Sequence, residues 1–68
     1  MLLKSIGNTI KIRRKELGIT QPTLAELANV SKNTIYKLER GDNNPSIKVL
    51  NQLLDVLGME LSINVKRN

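Results

Sequence analysis

Four side chains that can form hydrogen bonds, Lys32, Asn33, Tyr36 and Lys37, cluster at a spacing that places them on one face of a helix. Amide and ammonium groups so arranged suit hydrogen bonds to nucleobase edges and to phosphate oxygens. Eleven Lys and Arg oppose six Asp and Glu, and a net charge of +5 on 68 residues indicates a polyanionic partner. The sequence therefore favours binding to nucleic acid.

The residue types that most catalytic and metal sites need do not occur in the sequence. There is no Cys and no His, which excludes disulfides, thiolate metal sites and a histidine proton shuttle. The six acidic residues form no pair suited to a catalytic pocket, and no glycine-rich phosphate loop is present. We therefore expect no enzyme activity, no metal and no cofactor.

The aromatic content bears on the kind of nucleic acid, because Tyr36 is the single aromatic residue. Proteins that bind single strands, and the sheets that recognise RNA, stack bases on several aromatic rings. Double-stranded DNA is therefore the expected nucleic-acid partner.

Two charged residues, Arg14 and Glu39, stand on helix faces that are otherwise apolar. Steps of four and three residues lead from Ile10 through Arg14 to Leu17, and Glu39 follows Ile35 by four residues. A buried charge requires a partner, and these two have opposite signs, so we predict an ion pair that joins the first helix to the third. The alternative is two solvated charges whose long stems carry them out to water.

The apolar periodicity predicts four helices, at about residues 3–17, 21–28, 32–40 and 46–57. We therefore expect a mostly α-helical, compact four-helix domain over residues 1–58. The predicted inward positions are Ile6, Ile10, Leu17, Leu24, Leu27, Ala28, Ile35, Leu38, Ile47, Leu50, Leu53, Leu54 and Leu57.

Polar residues and glycine mark the ends of these helices. Thr20, Ser31 and Ser46 precede the second, third and fourth helices as N-caps, and Gly18 ends the first. Asn29 tolerates the left-handed backbone that a tight turn between the second and third helices requires. Two short helices joined so closely must cross at a steep angle.

The last ten residues, 59–68, change from helical to alternating periodicity. Met59, Leu61, Ile63 and Val65 alternate with polar residues, which is typical of a half-buried strand. No other segment resembles a partner strand, and a lone strand would leave an open edge. We therefore predict one C-terminal β-strand and tail that pairs with a second copy in a homodimer. The alternative is a frayed tail that gains order on binding something else.

A chain of 68 residues has room for one domain, whose core alone supplies only about 3–5 kcal/mol. The N-terminal apolar residues are followed at once by Lys4 and Ser5, so they are too few for a signal peptide or a membrane span. We therefore expect a cytoplasmic protein with no membrane partner.

Residues 20–41, TQPTLAELANVSKNTIYKLERG, resemble the helix-turn-helix of the phage-repressor and xenobiotic-response-element (XRE, Cro/C1-type) regulators. The likeness includes Gln21 at the start of the second helix and the small Ala25 where the helices touch. With the flanking helices it covers about residues 6–57. The resemblance implies a lambda-repressor-like domain whose third helix enters the major groove of DNA, and it supports the predicted ion pair.

The chain also departs from the usual pattern of that family. Asn29 stands where Gly is usual, and Pro22 removes an amide that might face a phosphate. The alternating segment 59–65 is similar to the ending of HipB-like antitoxin regulators, whose terminal strands join two subunits. This likeness implies a toxin–antitoxin role with a cognate toxin as a further partner.

The resemblance also implies which residues contact DNA. The base-reading residues are Lys32, Asn33, Tyr36 and Lys37 on the exposed side of the third helix. Contacts to the DNA backbone come from the start of the second helix, the turn and the loop after the third helix, at Gln21, Ser31, Thr34, Asn43 and Asn44, with Ser46 as a further candidate. Lys11, Arg13 and Lys15 form a basic run that is either a solvated face or a backbone contact.

The expected function is sequence-specific transcriptional regulation, as a repressor that binds a palindromic operator as a homodimer, with no small-molecule effector domain. The alternative is a protein-interaction module that keeps the helix-turn-helix as a scaffold. Specific binding predicts a steep fall of affinity with salt together with a large preference over random duplex, whereas the alternative predicts weak, sequence-indifferent binding.

Overall fold

The computed structural model describes residues 3–62 and 64–66. Four helices follow one another: α1 at Leu3–Glu16, α2 at Gln21–Ala28, α3 at Lys32–Arg40 and α4 at Ile47–Val56. The predicted helices are therefore present, and their ends differ from prediction by one residue at most. None of the helices in the described part of the chain is both long and apolar enough to cross a membrane.

The hydroxyl residues that precede α2, α3 and α4 cap these helices as predicted. Thr20, Ser31 and Ser46 have extended backbones, and each side-chain oxygen accepts a hydrogen bond from the amide three residues later, at 3.2, 3.0 and 3.1 Å. Each cap satisfies an amide that would have no partner within its helix. These caps fix where α2, α3 and α4 begin.

One apolar core holds the helices together. α1 packs on α3, and α2 packs on both α3 and α4. The core consists of Ile10 from α1, of Leu24, Ala25 and Ala28 from α2, of Ile35 and Leu38 from α3, and of Leu50, Leu53, Leu54 and Leu57 from α4 and its end. Since α3 contacts both α1 and α2, the inner side of α3 is fixed by two helices.

Three of the predicted inward positions are wrong, because Leu17, Leu27 and Ile47 are exposed. Leu24, Ala25 and Ala28 form the buried face of α2, and Leu27 lies about 110° from the centre of that face at 3.6 residues per turn. Leu17 follows the last residue of α1, and Ile47 is the first residue of α4, so both lie at helix ends. Periodicity alone thus overestimated how far the apolar faces extend.

The C-terminal segment forms no strand within its described residues 59–62 and 64–66. Met59 is half-buried against the core, whereas Leu61 and Val65 are exposed. The predicted strand residue Ile63 lies outside the described residues. Pairing of this segment with a second copy therefore stays a prediction.

Candidate nucleic-acid interface

The turn between α2 and α3 is short and hydrogen-bonded throughout. Asn29 has a left-handed backbone with φ 58° and ψ 45°, as its position predicted. The amides of Asn29 and Val30 donate to the carbonyls of Glu26 and Ala25 at 3.2 and 3.0 Å. Because these bonds close the end of α2 directly before the Ser31 cap, α3 starts in a direction fixed by the turn.

The two sides of α3 have opposite character. Ile35 and Leu38 are completely buried. Lys32, Asn33, Tyr36 and Lys37 are exposed, and we call these four residues the outward face. The structure therefore brings together all four predicted base-reading residues on one solvent-facing side.

A buried ion pair fixes the inner side of α3 to α1. Arg14 Nε donates to Glu39 Oε2 at 2.7 Å and Arg14 Nη2 donates to Glu39 Oε1 at 3.0 Å, with side chains only 9% and 3% exposed. Arg14 Nη1 donates to the carbonyl of Ile19 at 2.8 Å, and Gln21 Nε2 donates to Glu39 Oε1 at 3.0 Å. The predicted inner ion pair, Arg14 with Glu39, is confirmed, and its network also includes the start of α2.

Within the inner ion pair, the pKa of Glu39 is lowered and the pKa of Arg14 is raised. Burial by itself raises the pKa of Glu39, but the hydrogen bonds from Arg14 and Gln21 and the Arg14 charge outweigh burial and lower it. The hydrogen bond to Glu39 raises the pKa of Arg14 against the effect of its own burial. Both groups are therefore charged at neutral pH.

Gly7 allows α1 to approach the last turn of α3. A Cβ atom at this position would overlap the carbonyl oxygen of Leu38 and would lie 3.0 Å from its carbonyl carbon and 3.2 Å from Glu39 Cα. The obstacle is backbone, which cannot rotate away as a side chain can. This contact was not predicted from the sequence, although a glycine within a helical apolar pattern is a signal of close packing.

A second ion pair lies at the solvent-exposed end of α3. Arg40 Nε is 3.1 Å from Asp42 Oδ2, and the two side chains are 57% and 53% exposed. Arg40 Nη1 donates to Tyr36 Oη at 3.2 Å, and the guanidinium carbon lies 5.3 Å from the Tyr36 ring centroid. The hydrogen bond to Tyr36 and then the charge of Asp42 raise the pKa of Arg40. This outer ion pair, Arg40 with Asp42, was not predicted from the sequence.

The predicted contacts to the DNA backbone have different surroundings. The Ser31 hydroxyl caps α3 and lies 2.7 Å from the Thr34 hydroxyl, so both are engaged within the helix start. Gln21 is half-buried and bonded to Glu39. In the loop after α3, Asn43 is half-buried and Asn44 is exposed.

The basic run on α1 divides into one structural residue and two exposed ones. Arg13 Nε donates to the carbonyl of Leu57 at 2.9 Å, and Arg13 Nη1 lies 3.5 Å from Glu16 Oε1. Lys11 and Lys15 are exposed. The bond from Arg13 to the C-terminal end of α4 was not predicted from the sequence.

In a chain without Cys and His, the side chains that could hold a metal are those of clustered acidic residues. Among the described residues, no group of three or more acidic residues is arranged to do so. Every buried side-chain nitrogen and oxygen described by the structure has a hydrogen-bond partner. The polar groups on the outward face and in the adjacent loop are therefore not needed as hydrogen-bond partners for the core.

Comparison with known proteins identifies the family. Residues 10–64 match the helix-turn-helix family model. The immunity repressor protein of Bacillus phage phi105 is 40% identical over 58 residues, which are 85% of this chain and 40% of that protein. An HTH-type transcriptional regulator of Methanothermobacter thermautotrophicus is 43% identical over 51 residues, or 75% of this chain and 74% of that protein.

A solved structure is similar over most of the chain. The crystal structure of the clp gene regulator ClgR from C. glutamicum superimposes with a TM-score of 0.84 at 30% identity, covering 90% of this chain and 78% of that one. All three relatives are named as repressors or regulators and none as an enzyme, in agreement with the sequence analysis. The chain belongs to the helix-turn-helix family of phage-repressor-type (XRE, Cro/C1-type) transcriptional regulators.

Proposed function

We propose that this protein regulates transcription by binding duplex DNA in a sequence-specific way through the outward face of α3. The observation that carries the proposal is the division of α3 into a fully buried side, with Ile35 and Leu38, and a side that exposes four hydrogen-bonding residues. A helix held in this way presents polar groups on a convex surface that fits the major groove. The net charge of +5 supports a polyanionic partner.

The chemistry of the outward face matches the groups that bases present in the major groove. Asn33 can bond adenine through two hydrogen bonds, Lys32 and Lys37 can donate to guanine, and the Tyr36 ring can contact a thymine methyl group. A well-placed pair of this kind contributes about 1–3 kcal/mol of discrimination against the wrong base. These four residues therefore set the sequence preference.

The residues around α3 contact phosphates and set the position of the protein on the duplex. Gln21 stands at the first residue of α2, where helix and side chain both favour an anion, and its second amide hydrogen is free for a phosphate while the first bonds Glu39. Asn43 and Asn44 follow α3 in the loop, and Ser31 and Thr34 lie at its start. Contacts of this kind add affinity for any sequence.

The operator-binding form is a homodimer joined through residues 59–65. Leu61 and Val65 are 43% and 91% exposed in the single chain, and burying such side chains between two copies would remove apolar surface from water. A two-fold dimer presents two copies of α3, so the operator is an imperfect palindrome with half-sites about 34 Å apart, or a multiple of that distance.

The regulatory outcome that we propose is repression. The phage phi105 relative is named as an immunity repressor. This chain spans about 40% of that relative's length, so the proposal concerns the shared DNA-binding part. An antitoxin role rests on the sequence of residues 59–65 alone and predicts that a cognate toxin co-purifies with the protein.

Selection of binding sites from random duplex DNA tests the DNA-binding proposal. We expect a palindromic consensus, a preference of at least about a thousandfold over random duplex, and a steep fall of log affinity with log salt. Asn33→Ala should relax the preference at one position of each half-site, whereas Gln21→Ala should weaken binding to all sequences alike. Weak binding that is indifferent to sequence would instead support the protein-interaction module.

The dimer is tested separately by sedimentation equilibrium. Leu61→Ser with Val65→Ser should shift the protein toward monomer, and Ser62→Ala in the same segment serves as the control. The double variant should also lose affinity for the full palindrome while keeping its affinity for a half-site. An unchanged molecular mass would contradict dimerisation through this segment.

A further inference from the structure

The last turn of α3 carries an arginine whose place is set by two neighbours. Arg40 lies four residues after Tyr36, so the two side chains meet on one side of the helix. The guanidinium stacks over the Tyr36 ring at 5.3 Å and donates to the Tyr36 hydroxyl at 3.2 Å. Arg40 therefore extends the outward face by one helical turn.

Asp42 occupies the remaining side of the same guanidinium. Its Oδ2 lies 3.1 Å from Arg40 Nε. A carboxylate oxygen and a phosphate oxygen offer a guanidinium the same kind of charge-assisted contact. Asp42 thus holds Arg40 in an ion pair whose carboxylate a DNA phosphate can replace.

We propose that Arg40 is a phosphate-binding residue of the DNA interface, held in place in the free protein by Asp42 and transferred to a DNA phosphate on binding. The inference rests on the proposed DNA-binding function and adds a residue and a partner exchange to it. Stacking on Tyr36 keeps the arginine ordered, so little side-chain freedom is lost when the phosphate arrives.

The exposure of the outer ion pair makes this exchange easy. Both side chains are more than half exposed, at 57% and 53%, and exposed pairs of this kind are weak and screened by salt. The inner ion pair cannot exchange in this way, since its side chains are 9% and 3% exposed. Of the two pairs, only the outer one can open to a ligand without unfolding.

The first test measures the salt dependence of operator binding for Arg40→Gln. Each phosphate contact contributes about −0.9 to the slope of log affinity against log salt, so for each bound subunit this variant should lose about 3.5-fold more affinity at about 50 mM than at about 200 mM salt. Lys66→Gln removes the same charge from the C-terminal segment and should leave the slope unchanged. Neither variant should shift the midpoint of thermal unfolding by more than a few degrees, which separates a phosphate contact from a structural role.

The second test measures the coupling between Asp42 and Arg40. For each bound subunit, Asp42→Asn should tighten operator binding by roughly 1.5- to 5-fold, which is the range expected for removal of one exposed pair. In an Arg40→Gln background the same change should have a much smaller effect, because no arginine is left to release.

Wild-type operator binding with an unchanged salt slope in Arg40→Gln, or equal effects of Asp42→Asn in both backgrounds, would overturn the inference alone. A wild-type protein that prefers no duplex sequence would overturn the proposed function and this inference with it.

Discussion

The inner and outer ion pairs of α3 begin at adjacent residues, Glu39 and Arg40, about 100° apart around the helix, yet one is buried and the other exposed. The inner pair is almost fully buried and joins α1 to α3, whereas the outer pair is more than half exposed and joins α3 to its own following loop. The same chemistry therefore serves two purposes. A buried pair fixes the orientation of the helix, and an exposed pair leaves its charges available to a ligand.

The largest expected effect comes from breaking the inner pair. Glu39→Ala leaves the buried Arg14 guanidinium without its carboxylate, and we expect a loss of about 3–5 kcal/mol in the free energy of unfolding, measured with urea. Such a loss would unfold much of so small a domain.

A double replacement sharpens this prediction. Arg14→Met with Glu39→Leu removes both charges and fills a similar volume, so it should recover most of the lost stability. A double variant as unstable as Glu39→Ala would indicate that the pair contributes through its geometry and that apolar packing cannot replace it.

A smaller effect is expected where α1 approaches the inner side of α3. In Gly7→Ala the new methyl group overlaps the Leu38 carbonyl, so the helices must separate, at a cost of about 1–3 kcal/mol. Gly18→Ala is the control, because a Cβ at Gly18 would meet no atom within 4 Å. The φ of 70° at Gly18 adds backbone strain but no helix contact. Gly7→Ala should alter α3 amide chemical shifts in a heteronuclear NMR spectrum, whereas changes in Gly18→Ala should stay near the end of α1.

Acid should weaken the inner pair. The pKa of Glu39 is lowered in the folded protein, so its contribution is fully present above the ordinary pKa of about 4.3 and is lost as the pH falls through the folded value. Unfolding midpoints measured from pH 6 downward should therefore decrease below about pH 4.5. The Arg14→Met, Glu39→Leu variant should show a shallower decrease, and equal slopes would exclude Glu39 as a cause.

The smallest effect on stability is expected from breaking the outer pair. Arg40→Gln and Asp42→Asn should each shift the thermal midpoint by only a few degrees, because exposed pairs contribute little. A shift as large as that of Gly7→Ala would show that the outer pair also supports the fold. Variants of the outer pair should thus change DNA binding more than stability, whereas variants on the inner side of α3 should change stability first.

The elements of this fold could be predicted largely from the sequence because their signals are local. Thr20, Ser31 and Ser46 cap helices through amides three residues away, and Asn29 turns through its own backbone. The inner pair was also predictable, since two opposite charges on apolar faces have few other solutions. The outward face then followed from its position opposite Ile35 and Leu38.

The features that the sequence did not predict depend on how helices cross. Leu27 belongs to the apolar pattern of α2, but none of the described residues covers its side of the helix, and it is 60% exposed. Gly7 is significant only because the α3 backbone passes directly beside it. The bond from Arg13 to Leu57 joins residues 44 positions apart, which no local pattern encodes.

That bond from Arg13 to the end of α4 has a consequence for the kinetics of folding. Closing a loop of 44 residues costs chain entropy that local contacts avoid, so we expect this hydrogen bond to form after the helix-turn-helix has assembled. An interaction absent from the transition state changes the unfolding rate and leaves the folding rate almost unaffected. Arg13 would thus govern how long a folded molecule persists, while the caps and the core govern how quickly it forms.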